Sequence, residues 1–405
     1  MVAPWQTGPV PRPTLLLKYA ESSDGFLSWR WSDRLAEVEA AHIGAEVLAA
    51  VREGLAGSLP NPLPGESTGD AIARALTSGG FARPDLTTVL CSELGMALVP
   101  QPLWTELAQA PERPVIRLQP SPSLAQVPWE LVLLEVGDVV ITAPASVGPA
   151  PGTGEGHGPQ GPVVAVVDPR IPGQAADSAL GSVLGRPHAD SPLAELITRH
   201  GNQLRPVAAS YADLVRRQDL DRTWLREACR AAERLLFVGH TTSAADDGLP
   251  GENSALHLCD VDADGRPLPL TAGELITGTG TGPWRLPSRV ALLGCESGGD
   301  ARDVESLGLV LAALHCGADL VTATRWVLPT DRALAEAAGT PLSASPLQEL
   351  VLAVDAAHSA AAPLEAVAAW RQDRARTWQS TGALADSPLL WAAVSTTCRP
   401  GSHHS

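Results

Sequence analysis

Four short apolar runs constrain this chain more than anything else in it. "VVAVV" (163–167), "RLLFVG" (234–239), "RVALLG" (289–294) and "DLVTAT" (319–324) each have the length of one strand and fall short of an ordinary helix. None alternates apolar with polar residues, so each reads as a strand buried on both faces. Amphipathic helical segments lie between them: "DRTWLREACRAAE" before the second run and "DVESLGLVLAALHCG" between the third and fourth. Doubly buried strands alternating with helices form a parallel sheet sandwiched by helices, because each crossover lays a helix on a sheet face. The expected fold class is therefore α/β.

The part before these runs reads differently. "TLLLK" (14–18) and "FLSWRW" (26–31) suggest a hairpin or edge strands. Ser32 is placed to cap a helix running to about Leu55, with Leu35, Val38, Ala45, Leu48, Val51 and Leu55 on one face. "LPNPLPGESTG" (59–69) is a turn-rich connector, with helices expected near 68–78 and 101–110. "PVIRLQ" (114–119) reads as a strand and "VPWELVLL" (127–134) as a packed helix or turn anchored by a tryptophan. This is an N-terminal α+β subdomain. "SVGPAPGTGEGHGPQGP" (146–162) has nothing to contribute to a core and reads as a loop or linker. "TAGELI" (271–276) starts a further helix, with Thr271 and Glu274 spaced as a capping box.

Length and charge narrow the function. At 405 residues the chain exceeds one ordinary core and suggests two domains or subdomains. Hydrophobic content of 44% with 18% charged residues fits a soluble globular protein. A net charge of −16 repels phosphate, which argues against nucleic-acid binding, and favours basic peptides. Lys18 is the single lysine; arginine supplies the remaining positive charge. No export signal and no run of about 18 apolar residues is visible, so neither secretion nor a membrane span is expected. The six cysteines (Cys91, Cys229, Cys259, Cys295, Cys316, Cys398) have no short-spaced pairs and read as reduced thiols of a cytoplasmic protein.

In parallel α/β sheets functional groups gather beyond the carboxyl ends of the strands. "RLLFVGH" ends in His240 and "RVALLGC" ends in Cys295, each followed at once by small or polar residues. If the two strands are neighbours, imidazole and thiol face each other. A free thiol with a pKa of about 8.5 is little ionised at neutral pH, so a nearby imidazole must promote the thiolate and later protonate a leaving amine. A lone cysteine is usually a small core residue and a lone histidine usually structural; what lifts this pair is that both terminate buried-type strands. Other signals are weaker. "GESTG" (65–69) fits Gly-x-Ser-x-Gly but lies in a proline-rich connector, not on a strand-to-helix elbow, which disfavours Ser67 as a nucleophile. "GTGTG" (278–282) completes no dinucleotide fingerprint. His257 with Cys259, and His315 with Cys316, lack zinc spacing, and Cys316 reads as core within a helix. Asp246, Asp247 and Glu252 after His240, and Asp300, Asp303 and Glu305 after Cys295, read as solvated loop charge and capping rather than as a basic-peptide cleft or cation site.

The ordered blocks "VPWELVLL", "LFVGHTTSA", "ALHLCD…LTAGELI", "VALLGCESGGD", "SLGLVLAALHCGADLVTATRWVLPTDRA" and "LLWAAVSTTCRPG" resemble those of CHAT-family peptidases, caspase-like cysteine peptidases related to caspases and separases. The resemblance covers roughly residues 65–400. It implies a caspase-like, mostly parallel sheet flanked by helices, peptide-bond hydrolysis, His240 as general acid/base, Cys295 as nucleophile, and no metal or organic cofactor. The His–Cys separation is close to the roughly 50 residues of caspases. The chain then divides into an unassigned segment (1–60), an N-terminal part of the family region (61–146), the linker (147–162) and the catalytic domain (163–398). One departure stands out: relatives usually carry Gly after the histidine, where this chain has Thr241. The backbone amides of Thr241 and Cys295 would form the oxyanion hole. The resemblance also points to Asp331, Trp326 and Arg325 as substrate-binding residues, Asp331 favouring Arg or Lys before the scissile bond and Arg325 an acidic residue instead. Expected partners are a protein or peptide substrate and an activating partner, in bacterial signalling or defence, with no nucleic acid and no membrane. The rival reading is an inactive scaffold that binds a partner in the same cleft.

Overall fold

A computed structural model of the chain describes residues 12–148, 161–175, 178, 180–242, 253–278, 284–294, 306–340, 342 and 344–399. Eleven of its strands form one sheet. In chain order these are β1 (Thr14–Glu21), β2 (Gly25–Trp31), β3 (Glu39–Ile43), β4 (Val115–Gln119), β5 (Asp138–Thr142), β6 (Val163–Val167), β7 (Leu204–Arg205) and β8 (Arg234–Gly239). Three short strands follow, β9 (Thr241–Thr242), β10 (Ala255–Leu256) and β11 (Leu270–Thr271), and then β12 (Arg289–Gly294), β13 (Leu320–Thr324) and β14 (Val394–Cys398). The large sheet runs β3-β2-β1-β4-β5-β14-β13-β12-β8-β6-β7, and β9, β10 and β11 form a separate small sheet. Seven of the ten pairings in the large sheet are parallel; the exceptions are β1–β2, β2–β3 and β13–β14.

The four apolar runs are β6, β8, β12 and β13, four adjacent strands flanked on both sides, as their lack of alternation requires. Every residue of β6, β8 and β13 is buried. Alternate residues of each strand enter different cores. Ala165, Leu236, Val238, Ala291 and Leu293 pack on the side of the helix Pro346–Ser359. Val166, Phe237, Val290 and Leu292 pack with Leu225 of the helix Arg222–Arg230 and Leu309 of the helix Ser306–His315. The capping box at Thr271 and Glu274 forms as expected: Glu274 N donates to Thr271 Oγ1 at 3.1 Å and Thr271 N to Glu274 Oε2 at 3.0 Å.

The hairpin, the helices Thr68–Thr77 and Gln101–Gln109, the strand β4 and the Trp129 anchor follow the sequence expectation, and Trp129 is fully buried. The helix expected from Ser32 to Leu55 is corrected. Residues 32–38 form a loop, β3 follows and pairs with β2, and the helix runs Ala45–Ser58 with Gly44 at its N-cap. Leu48, Val51 and Leu55 do face the core, whereas Leu35 and Val38 are exposed at 53% and 58%. The mirage arose because apolar residues on a loop fell by chance at helical spacing. Cys316 is core as expected, but it follows its helix rather than lying inside it. The helices Pro84–Leu98 and Pro363–Thr381 were not foreseen.

The closing strand β14 joins the two halves of the sheet. It pairs antiparallel with β13 and parallel with β5, so the N-terminal α+β part and the α/β part share one sheet. The first sixty residues, without assignment from sequence, supply β1–β3 and pair with β4 through β1.

Candidate active site

Parallel register places the ends of β8 and β12 side by side. Gly239 pairs with Gly294, the last residue of each strand, and Val238 of β8 pairs with Val167 of β6. His240 is the residue that follows Gly239. Cys295 follows Gly294 and lies outside the described residues, as do Asp246, Asp247, Glu252, Asp300, Asp303 and Glu305.

His240 is 3% exposed. Its Nε2 stands 3.1 Å from the Gly181 carbonyl oxygen. A carbonyl only accepts, so Nε2 donates in this contact. The carbonyl is itself held from a second direction, by Arg216 Nη1 at 2.8 Å. Arg216 in turn faces Asp168 Oδ1 at 3.4 Å, and Asp168 accepts from Ser182 Oγ at 2.5 Å and from the Val183 amide at 3.2 Å. Asp168 and Arg216 both adopt positive φ, 47° and 54°, and their backbones interlock through Arg216 N to Asp168 O at 3.1 Å. Two non-glycine residues in that region mark a loop pair set by its surroundings rather than by local preference. Asp168 is the residue after β6, so the strand-end rule could have singled it out. Gly181, Ser182 and Arg216 lie in a stretch with no periodicity, where sequence offered no signal.

Behind His240, the His257 amide donates to the His240 carbonyl at 3.0 Å. His257 Nε2 lies 3.1 Å from Thr242 Oγ1. Burial, helped by the neighbouring His240, pushes the His257 pKa down to about 4, so it is neutral at physiological pH. Thr241 packs its side chain on Gly294: a Cβ added at 294 would meet Thr241 Oγ1 at 2.2 Å. Thr324, at the end of β13, donates its hydroxyl to the Gly294 carbonyl at 3.1 Å. Gly294 is thus fixed from two sides.

The three expected substrate-binding residues separate. Arg325 is buried, donates to the Val127 carbonyl and pairs with Glu130 at 2.5 Å. Trp326 is 1% exposed, donates to the Leu389 carbonyl at 2.9 Å and stacks on Phe81 with centroids 5.9 Å apart. Both side chains are buried and bonded to the interior. Asp331 is different. It opens the helix Asp331–Ala338, but Thr330 is the cap, accepting from the Ala333 amide at 3.2 Å. Asp331 Oδ1 accepts from the Leu347 amide at 2.8 Å, and Oδ2 is buried without a hydrogen-bond partner. Burial pushes its pKa up to about 6, against the smaller opposing pull of the Leu347 amide and the Gln348 side chain. Burial raises the Tyr211 pKa, and the charges of Asp168 and Asp331 add to the rise. Among the described residues no group of three or more His, Cys, Asp or Glu is placed to hold a metal ion, and no helix is long and apolar enough to cross a membrane.

The CHAT domain family model matches residues 88–398. The chain belongs to the CHAT-domain family. The match ends with β14 and covers both glycine-terminated strands, β8 and β12. No curated protein matches the chain. Among solved structures, it is similar to two crystal structures of the Saccharomyces cerevisiae separase–securin complex, at 10% identity in each, with TM-scores of 0.44 and 0.49. In both, 95% of this chain is covered and 30% of the other, so this CHAT-family chain spans less than a third of the solved chains it matches.

Proposed function

We propose that this CHAT-family chain is a cysteine endopeptidase cutting one or a few protein partners, with His240 as general base and acid and Cys295 as nucleophile. The observation that carries the reading is the state of His240. It follows the strand residue paired with Gly294, and its Nε2 donates to the doubly held Gly181 carbonyl, so in this reading Nδ1 is the ring atom that exchanges the proton. In the proposed reaction Nδ1 takes the proton of the Cys295 thiol and the thiolate sulfur bonds to the scissile carbonyl carbon. The carbonyl oxygen gains the electron pair and is met by the amides of Thr241 and Cys295. As the intermediate collapses, the C–N bond breaks and the imidazolium gives its proton to the departing amine. Water, deprotonated by Nδ1, then splits the thioester, and the thiol is restored.

The Asp331 carboxyl supports a preference for Arg or Lys before the scissile bond. A buried carboxylate oxygen with no partner and a raised pKa is a site short of a cation, and a guanidinium would supply both the charge and the hydrogen bond. Bacterial signalling or defence, with cleavage of a partner as the switch, is the context the reading favours. The deciding experiment incubates the wild type and Cys295→Ala with the products of neighbouring genes. Cleavage by the wild type alone is expected. Partner binding without cleavage by either would favour the inactive scaffold.

A further inference from the structure

The outward face of the first four strands carries a cluster of basic side chains. Register sets its rows. Leu16 pairs with Arg30 on one side and Arg117 on the other; Lys18 pairs with Ser28 and Gln119; Ala20 pairs with Phe26, which pairs with His42. The intervening residues Leu15, Leu17, Leu27 and Trp29 face the core, so these rows face away from it. Lys18, Ala20, Phe26, Arg30 and His42 are exposed, Phe26 by 49%. A concavity of about 400 Å³ lies between Leu16, Lys18, Arg30, Arg117 and Thr142. Within it the Thr142 hydroxyl is buried without a hydrogen-bond partner.

The charge of this face runs against the rest of the molecule. The chain carries 45 acidic residues against 29 basic, yet no outward position of these four strands is acidic, and the only lysine is here. The acids at its margins are already paired: Asp24 with His42 at 3.2 Å, and Asp138, outward on β5 beside Val115, with Arg12 at 2.6 Å and Arg113 at 2.9 Å. Neighbouring strands are about 4.8 Å apart and residues two apart along a strand about 6.7 Å. Arg30 and Arg117 therefore flank Leu16 at about 10 Å from each other, with Lys18 one row on. Beyond Lys18 the surface turns apolar, at Ala20 and Phe26.

We propose that this face docks an acidic, extended segment of a partner protein. Carboxylates at alternate positions of such a segment recur at the spacing of the Leu16 and Lys18 rows, and an apolar residue after them would cover Phe26. A spread of cations around a leucine, with an apolar patch adjoining, suits a peptide better than a compact anion, which needs donors converging on one point. These strands lie at the opposite end of the sheet from β8 and β12, and the proposal does not depend on the peptidase reading.

The test uses the full chain and a fluorescent ten-residue peptide of alternating Glu and Ala ending in two leucines. Binding is expected, and it should weaken as salt rises because the contacts are exposed ion pairs. Lys18→Glu combined with Arg30→Glu should lose at least about tenfold in affinity with an unchanged melting temperature, as both side chains are exposed. Lys18→Gln with Arg30→Gln should fall between, and Phe26→Ala should weaken binding without changing its salt dependence. The control Arg83→Glu with Arg332→Glu makes the same charge change at exposed positions elsewhere and should leave affinity within about twofold. Equal losses in the two charge-reversed proteins would overturn the proposal, as would no binding, or binding of inorganic tripolyphosphate but not of the peptide.

Discussion

Gly294 and Thr241 explain each other at the residue scale. Thr241, the residue after His240, is β-branched, and its side chain fills the space over the last residue of β12. Gly294→Ala should therefore overpack the strand end, with its new Cβ 2.2 Å from Thr241 Oγ1, and cost about 1–3 kcal/mol. Adding Thr241→Gly should recover most of that cost, since the clashing atoms leave. Denaturant unfolding of the two single variants and the double variant measures the coupling, and additive losses would refute the contact. Asp331 gives a second test. Its carboxylate must be ionised to hold a guanidinium, and its pKa stands near 6. Asp331→Asn is expected to lower kcat/KM for substrates with Arg before the scissile bond by about 10- to 100-fold, the worth of a charge-assisted hydrogen bond, and to leave uncharged substrates nearly unaffected. Unchanged selectivity in a peptide library would remove Asp331 from the pocket.

At the scale of elements, the helix Pro346–Ser359 is tied to the lower end of the sheet by buried polar groups. Asp355 meets His200 Nε2 at 2.9 Å and Arg199 Nη1 at 2.7 Å, and Arg289 donates to the carbonyls of His358 and Ala360. His358 Nε2 lies 2.7 Å from Thr322 Oγ1, and burial pushes its pKa down to about 3 from an ordinary 6.5. The folded protein therefore refuses a proton that the unfolded chain accepts below pH 6.5. Stability should fall as the pH drops from 6.5 towards 3, with a slope of up to about 1.4 kcal/mol per pH unit from this residue. His257, depressed to about 4, adds to the slope above that pH. Thermal melts of His358→Gln should show a shallower decline between pH 6.5 and 4; an unchanged slope would mean that the imidazole is not held neutral. The sequence revealed the strands of this region because burial on both faces leaves uninterrupted apolar runs. It hid the network, because Asp355 and His200 are 155 residues apart in the chain, and Thr322 and His358 are 36 apart, and they meet only through the fold. The same distinction holds at the candidate site: His240 announced itself at a strand end, whereas the Gly181 carbonyl that orients it is a backbone atom in an irregular loop.

On the scale of the whole molecule, the question is what makes the two halves of an eleven-stranded sheet one body. Strand β14 is the backbone answer, and Glu130 is its side-chain counterpart. The short helix Trp129–Val132 carries Glu130 from the N-terminal half. It pairs with Arg325, just beyond β13, and approaches Arg371 of the helix Pro363–Thr381 at 3.6 Å. Arg371 also donates to the carbonyl of Val394, the first residue of β14, at 2.7 Å. Burial pushes the Glu130 carboxyl towards its neutral form, but the two guanidinium groups outweigh it and hold the pKa below the ordinary range. One carboxylate thus serves two buried cations, and the triad draws on three segments of the chain. Removing it leaves both arginines desolvated without an anion, a fault that costs about 3–5 kcal/mol in buried pairs. Glu130→Gln, which keeps the shape and removes the charge, should destabilise by that amount and lower the melting temperature of the whole chain in a single transition, because the triad spans both halves. Glu336→Gln, at an exposed pair with Arg332 on the surface, should change stability by less than about 1 kcal/mol. If Glu130→Gln instead melts in two steps, with only one half destabilised, the triad is a local contact and β14 alone unites the sheet.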